Sequence, residues 1–233
     1  MSSGIASEIC EHPSRWALAV LFLAMLCSGL LPDVDLTPSG WFYVPGAGFS
    51  WSTDGILEFV RRWIPDIVIG SFVFCVALWA AGLCLDRWSW NISTPQIVYL
   101  SLTLLIGPAL IVESLLKPFW GRARPKDIML FGGNAAYTPP WQIAHECERN
   151  CSFASGHAAV AFWVTAYAFL LPQRWRVAGM FAGLAFGAAV GLVRIAQGAH
   201  FLSDIVAAGF IVLTINIVLA RLILERSSPA IQA

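Results

Sequence analysis

Two histidines and one aspartate stand where apolar segments of this 233-residue chain meet polar stretches. His200 and Asp204 are four residues apart, so they lie on one face if a helix begins near His200. A carboxylate close to an imidazole can fix its tautomer and leave the other ring nitrogen free to act as a nucleophile or base. His157 follows Ser155 and Gly156 at the start of another apolar segment, and histidine can transfer a proton near neutral pH. His200, Asp204 and His157 are therefore candidates for catalysis.

Three cations and the start of one apolar segment could together bind an anion. Lys117 and Arg124 lie in the stretch KPFWGRARP, where a glycine and two prolines interrupt the helix and let both side chains reach one site. Arg194 ends another apolar segment. Arginine can bind phosphate through two parallel hydrogen bonds, and lysine adds a point charge. Free N–H groups near Ser155 and Gly156, at a helix N-terminus, favour the same kind of ligand. The pattern indicates a phosphate site.

Each cluster also has a plain structural interpretation. A basic cluster at a helix end can be a membrane anchor, and a serine before an apolar run is often a helix cap. His200 and Asp204 could form a structural pair at a helix start. The combination favours chemistry, because the cations, the histidines, the carboxylate and the helix N-terminus fall on one side of the predicted membrane spans. Ionisable groups at the edge of a span are costly and are usually functional.

The order and spacing of these residues resemble the signature of the type 2 phosphatidic acid phosphatase superfamily: K-x6-RP, then PSGH, then SR-x5-H-x3-D. The positions that match are Lys117, Arg124, Pro125, Ser155, Gly156, His157, Arg194, His200 and Asp204. Two positions depart from the signature, since Ala154 replaces its proline and Val193 replaces its serine. The first change removes some rigidity, and the second removes a hydroxyl that could contact phosphate.

The resemblance implies a two-step phosphatase mechanism. His200 would attack phosphorus and form a phosphohistidine while Asp204 holds the ring. His157 would protonate the leaving oxygen and later activate water. The groups expected to stabilise the phosphoryl oxygens are Lys117, Arg124, Arg194 and the amides near Ser155 and Gly156. Because three cations are available and the chain has no cluster of carboxylates, we expect neither a metal nor another cofactor.

The elements that must position these residues are membrane helices. The chain is 58% hydrophobic and 12% charged, with a mean hydropathy of +0.71, whereas soluble domains have about 25% charged residues. A spanning helix needs about 20 apolar residues, and six segments approach that length. They are residues 16–31, 64–85, 97–116, 153–171, 177–194 and 203–224. The sequence predicts an all-α, polytopic bundle of six transmembrane helices, forming one domain over residues 1–233 with its motifs within 117–204.

An even number of spans places the connections 32–63, 117–152 and 195–202 on one side of the membrane. Counted literally, the positive-inside rule puts that side in the cytoplasm, with eight Lys and Arg residues against six. Without the three expected phosphate ligands the count is five against six. Cys147 and Cys151 could form a disulfide in an oxidising compartment, and the resemblance also favours the periplasmic side of a bacterial inner membrane. The formal net charge of zero gives no indication of nucleic-acid binding, and oligomeric state stays open.

Within the superfamily, two stretches resemble bacterial lipid A phosphatases: Asp35 to Tyr43, and the approach to the second motif from Asn150 to Phe153. We therefore expect lipid A as substrate, with the 4′-phosphate favoured over the 1-phosphate. Phosphatases of undecaprenyl diphosphate or phosphatidylglycerophosphate share the catalytic residues and stay open. An anion transporter would not need two histidines and a carboxylate at these spacings, and the vanadate-dependent haloperoxidases that share the signature are soluble.

Overall fold

The computed structural model describes residues 13–84 and 92–225, and its regular structure is almost entirely helical. The helices are α1 (Pro13–Leu30), α2 (Pro32–Gly40), α3 (Gly55–Cys84), α4 (Thr94–Phe119), α5 (Gly156–Trp163), α6 (Thr165–Ala168), α7 (Gln173–Ala196) and α8 (Leu202–Glu225). Short 3-10 turns lie at Ser50–Thr53, Pro125–Asp127 and Met129–Phe131. The strands β1 (Tyr43–Val44) and β2 (Gly48–Phe49) pair antiparallel.

The predicted all-α, polytopic membrane fold is confirmed, but the count of six spans is not. In the described residues, five helices are long and apolar enough to cross a membrane: α1, α3, α4, α7 and α8. The fourth predicted span, residues 153–171, is instead divided into the short helices α5 and α6. The Thr165 hydroxyl donates to the carbonyl of Phe162 at 2.7 Å, beside the break, and such side-chain bonds compete with the regular helical pattern.

Glycines on α7 let this helix pack directly against α5 and α8. Gly183, Gly187 and Gly191 recur every four residues and so share one face. A Cβ atom added at Gly187 would lie 2.2 Å from the Phe162 ring, and one at Gly191 would lie 2.3 Å from Ile205. Small residues allow membrane helices to approach closely in this way. The packing places the start of α5, the end of α7 and the start of α8 side by side.

The polar connections meet at one end of the bundle, as predicted. The amide of Ser152 donates to the carbonyl of Arg122 at 2.9 Å, and the amide of Lys126 donates to the carbonyl of Gly198 at 3.1 Å. The amide of Ser155 donates to the carbonyl of Asp204 at 3.3 Å. These bonds tie the loop after α4 to the starts of α5 and α8.

Candidate active site

His200 lies in the short connection between α7 and α8, with 1% of its surface exposed. Its Nδ1 is 2.7 Å from the main-chain oxygen of Ser152 and 3.6 Å from Oδ2 of Asp204. A carbonyl oxygen only accepts hydrogen bonds, so the proton of the neutral ring is on Nδ1. The lone pair is therefore on Nε2, as a nucleophilic imidazole requires.

Asp204 is close to His200, but it is not the nearest acceptor for the ring. Its carboxylate accepts hydrogen bonds from the amide of Phe201 at 2.8 Å, the hydroxyl of Ser152 at 2.5 Å and Nη1 of Arg122 at 2.6 Å. The expected orientation of His200 by Asp204 needs correction on this point. Asp204 lies in the first turn of α8, which begins at Leu202, and its carboxylate accepts the amide of Phe201 at the start of that helix. The Ser152 carbonyl holds the His200 ring.

Burial lowers the pKa of His200 to about 4. The negative charge of Asp204 acts in the opposite direction, while the positive charges of Arg194 and Arg124 lower the pKa further. The imidazole is therefore neutral at pH 7. A neutral ring with a free Nε2 can attack an electrophile.

His157, the second residue of α5, contacts the main chain of α3. Its Nε2 lies 3.1 Å from the carbonyl oxygen of Arg61. In an α-helix that carbonyl would accept the amide proton four residues later, but this position is Pro65, which has no N–H. The proline leaves the acceptor available, and His157 is held by it with Nε2 protonated and Nδ1 unprotonated.

Two of the expected phosphate ligands, Arg194 and Arg124, come from different elements, the end of α7 and the loop after α4. Nη1 of Arg194 donates to Oε1 of Gln197, while its buried Nε has no hydrogen-bond partner among the described residues. Arg124 donates from Nε and Nη2 to the carbonyl of Asn150 at 3.0 and 2.6 Å. A buried guanidinium N–H without a partner is costly, so Arg194 has capacity for an anion.

Lys117 is paired with Glu113, the carboxylate one turn before it in α4. Nζ of Lys117 lies 2.8 and 3.0 Å from the two carboxylate oxygens. The same carboxylate packs on Gly156, where an added Cβ would lie 1.6 Å from Oε1 of Glu113 and 3.4 Å from Nζ of Lys117. Gly156 thus permits an acidic and a basic side chain to meet directly above the start of α5.

The amides at the start of α5 are only partly free. Ser155 caps the helix, since its hydroxyl accepts from the amide of Ala158 at 3.4 Å, and its own amide donates to Asp204. The amide of Ser155 is therefore engaged, whereas its hydroxyl, which accepts from Ala158, can still donate to an anion. Within residues 13–84 and 92–225, the amides of Gly156 and His157 have no acceptor. Unpaired donors at a helix N-terminus suit an anion.

Comparison with protein families shows to which family the chain that carries these groups belongs. The model of the PAP2 superfamily matches residues 96–228, more than half of the chain. The chain belongs to the PAP2 superfamily. The resemblance drawn from the three motifs is confirmed, and so is the prediction of a membrane-embedded phosphatase.

The PAP2 match is accompanied by similarity to curated proteins over more than four-fifths of this chain. A lipid A 4′-phosphatase of Francisella tularensis subsp. novicida (strain U112) is 34% identical over 198 residues, which cover 84% of this chain and 88% of the relative. A lipid A 4′-phosphatase of Rhizobium leguminosarum is 30% identical over 206 residues, covering 82% and 85%. No solved structure gives a significant match.

Two residues of this PAP2 site were not identified from the sequence. Arg122, within the first motif, is fully buried and bonds both Asp204 and Asp35 at 2.6 Å. Asp35, on α2, is also fully buried. Their type and position gave no signal of burial, because a loop arginine and a carboxylate near a membrane surface are ordinarily solvated. A hint for Asp35 was its place in the stretch that resembles lipid A phosphatases.

A disulfide joins Cys147 and Cys151, whose Cα atoms are 5.6 Å apart. The small loop that it closes leads directly into the site. Asn150, which precedes Cys151, supplies the carbonyl that binds Arg124, and Ser152, which follows it, supplies the carbonyl that binds His200. The bridge thus constrains two main-chain contacts of the PAP2 site.

An apolar cavity of about 520 Å³ lies between α1, α7 and α8. Its lining reaches Ile195 and Leu202, which are next to or near Arg194 and His200 in sequence, and continues along α7 past Ala188. The cavity therefore extends from the polar end of the bundle towards the middle of the membrane helices.

Proposed function

We propose that this PAP2 protein removes the 4′-phosphate of lipid A by way of a phosphohistidine on His200, at the periplasmic face of a bacterial inner membrane. The support for the substrate is similarity to two lipid A 4′-phosphatases across more than four-fifths of this chain and of each relative. The support for the intermediate is one contact: the Ser152 carbonyl keeps Nδ1 of His200 protonated and leaves Nε2 for attack.

In the first step, Nε2 of His200 forms a bond to phosphorus while the bond from phosphorus to the sugar oxygen breaks. Nδ1 of His157, which takes up a proton beside the negatively charged phosphate of the bound lipid, donates that proton to the leaving oxygen, and the dephosphorylated lipid departs. Negative charge on the phosphoryl oxygens is stabilised by Lys117, Arg124 and Arg194. Arg124 and Arg194 are close enough to His200 to lower its pKa, and Lys117 and Arg194 act in the same way on His157. Fixed donors of this kind are the main source of rate in phosphoryl transfer.

In the second step, a water molecule attacks phosphorus and the bond to Nε2 of His200 breaks. His157, now unprotonated on Nδ1, accepts a proton there from the water, and inorganic phosphate leaves. His200 returns to the neutral ring with the proton on Nδ1. The cycle needs one water molecule and no oxidant, reductant or metal ion.

The surroundings of the site suit a lipid with several acyl chains. The apolar cavity between α1, α7 and α8 opens beside the polar end of the bundle and can take hydrocarbon. The disulfide between Cys147 and Cys151 supports the periplasmic side, because disulfides persist in oxidising compartments.

Lipid A analysis in a bacterial host that lacks its own lipid A phosphatases tests the proposal. The host expresses wild type, His200→Ala, or His145→Ala, which changes an exposed histidine of the same loop. Mass spectrometry with fragmentation should find lipid A without its 4′-phosphate in cells with wild type or His145→Ala, and intact lipid A with His200→Ala. Unchanged lipid A, together with activity on undecaprenyl diphosphate or phosphatidylglycerophosphate, would contradict the lipid A assignment and identify one of those lipids as the substrate.

Phosphate release in detergent micelles separates the enzyme from an anion transporter built on the same cations. Wild type should release phosphate from lipid A, and His200→Ala should not. Equal release by the two forms would contradict the phosphohistidine pathway.

A further inference from the structure

A buried cluster of three charged side chains lies behind Asp204. Nη1 of Arg122 is 2.6 Å from Oδ1 of Asp204, and Nη2 is 2.6 Å from Oδ2 of Asp35. None of the three side chains has exposed surface. The carboxylates come from α8 and α2, and the guanidinium comes from the loop after α4, so the cluster joins three separate elements.

Asp35 is surrounded by hydrogen-bond donors. Besides Arg122, it accepts from the amide of Ser203 at 2.8 Å, from the hydroxyl of Ser203 at 2.9 Å and from the hydroxyl of Tyr137 at 3.2 Å. Because all of these partners donate, the Asp35 carboxylate acts only as an acceptor, as an ionised carboxylate does. Asp35 therefore holds the first turn of α8, the turn that carries Asp204.

Arg122 is enclosed as completely as Asp35. Nε donates to the carbonyl of Thr138 at 2.9 Å, and Nη1 also donates to the hydroxyl of Ser203 at 2.7 Å. The guanidinium carbon lies 4.4 Å from the centre of the Phe201 ring. Although burial alone would lower its pKa, Asp204 and Asp35 together raise the pKa of Arg122. Arg122 stays charged and cannot reach a substrate.

With two carboxylates and one guanidinium, the cluster carries a net charge of one negative unit. The nearest group that changes charge in the proposed reaction is His200, whose Nδ1 is 3.6 Å from Asp204. When Nε2 takes a phosphoryl group and Nδ1 keeps its proton, the ring becomes positive. The net charge of the cluster then balances the ring, and inside a protein such a pairing is much stronger than in water.

We propose that Asp35 and Arg122 are positioning residues for phosphoryl transfer, which hold Asp204 beside His200 and set the cluster to one net negative charge. The proposal rests on the phosphohistidine pathway given above. Neither residue touches the substrate, so both act through Asp204. Complete removal of charge from Asp35 should affect the chemical step and leave substrate binding nearly unchanged.

The test compares purified full-length wild type, Asp35→Asn, Arg122→Gln and the double variant. The cluster has one negative charge in wild type, none in Asp35→Asn, two in Arg122→Gln and again one in the double variant. We expect Asp35→Asn to lower kcat about tenfold or more, with KM within about twofold, because only the charged ring loses stabilisation. The double variant should recover activity relative to Asp35→Asn. Asp33→Asn, an exposed carboxylate on the same helix, is the matched control and should behave as wild type.

The proposal is overturned if Asp35→Asn keeps the wild-type kcat, if only its KM changes, or if the double variant is no more active than Asp35→Asn. A second measurement covers the case in which the double variant does not fold. The acid limb of kcat/KM should move to lower pH in Asp35→Asn, since less negative charge then disfavours protonated His200. A low kcat with an unmoved limb would indicate a merely structural role.

Other charges near His200 are unchanged by these substitutions. They are Asp204, Arg194, Arg124 and His157. The kcat and KM measurements use whichever phosphorylated lipid the wild type hydrolyses, so they remain valid if the substrate is not lipid A. Failure of the proposed pathway would look different, because His200→Ala would then remain active.

Discussion

The imidazole of His200 is closer to the main chain of Ser152 than to the carboxylate of Asp204, at 2.7 Å against 3.6 Å. The Ser152 carbonyl belongs to the main chain, so it does not titrate, and no substitution of the Ser152 side chain removes it. The tautomer of His200, the proposed nucleophile, is thus fixed by a backbone contact. Asp204 is left to supply charge and to hold the start of α8.

Asp204→Asn is expected to retain more activity than His200→Ala. Loss of the aspartate in a Ser-His-Asp triad costs about 10⁴-fold because the histidine takes the wrong tautomer. Here the Ser152 carbonyl keeps the tautomer, so we expect a loss in kcat on the order of 100-fold. Steady-state kinetics in detergent measures it. Activity as low as that of His200→Ala would show that Asp204 and not Ser152 orients the ring.

The pH dependence of the same variant gives a separate prediction. His200 must be neutral to attack, and its pKa is lowered to about 4 by burial, with Asp204 raising it in part. The acid limb of kcat/KM in wild type should therefore lie near pH 4, well below the ordinary histidine value of about 6.5. Removing the negative charge in Asp204→Asn should move the limb lower. A limb that moves higher would contradict the assigned contacts.

Pro65→Ala should reduce turnover although this residue does not touch the site. Alanine has an amide proton that can bond the carbonyl of Arg61 within α3, and this bond would compete with His157. We expect kcat to fall roughly three- to tenfold, equivalent to one weakened hydrogen bond. Pro172→Ala, in the exposed link before α7, is the control. Equal kcat in both variants would show that the Arg61 contact has no role in catalysis.

Reduction of the disulfide should lower activity. The bridge between Cys147 and Cys151 constrains Asn150 and Ser152, whose carbonyls bind Arg124 and His200. A reductant is expected to decrease kcat/KM in wild type, because loss of the constraint lets these contacts loosen. The variant with both cysteines changed to serine should start lower and be insensitive to reductant. Full activity of that variant would show that the disulfide is not needed to hold the contacts of Arg124 and His200.

Filling the apolar cavity should affect long acyl chains selectively. Ala188 lines the cavity between α1, α7 and α8, whereas its neighbour Ala189 is exposed elsewhere on α7. Ala188→Trp is expected to raise KM about tenfold for a long-chain substrate, because hydrocarbon burial is worth about 0.8 kcal/mol per CH₂ group. A short-chain analogue should be unaffected, and so should both substrates with Ala189→Trp. Equal effects on both chain lengths would exclude the cavity as an acyl site.

Some of this arrangement could be predicted from the sequence because it depends on local spacing and on hydropathy. Long apolar runs indicated the membrane helices, and the spacing of His200 to Asp204 placed the two residues near each other. The break at Val164 could not be predicted, since the run from 153 to 171 has no proline and a threonine such as Thr165 does not by itself interrupt a helix.

The cluster behind the site was hidden for a different reason. Asp35 and Arg122 are 87 residues apart, and nothing in either stretch distinguishes a buried ion pair from a solvated charge. Likewise, the partner of His200 is a carbonyl, which every residue has. Only the fold shows that the carbonyl at Ser152 is the one in reach.

Trapping of the phosphoenzyme tests the central claim most directly. His157→Gln should slow hydrolysis of the intermediate, so lipid A labelled in its 4′-phosphate is mixed with this variant and quenched under alkaline conditions, which preserve phosphohistidine. Peptide mapping should place the label on Nε2 of His200, and the double variant with His200→Gln should carry none. Label on another residue, or continued phosphate release by His200→Gln, would contradict the account.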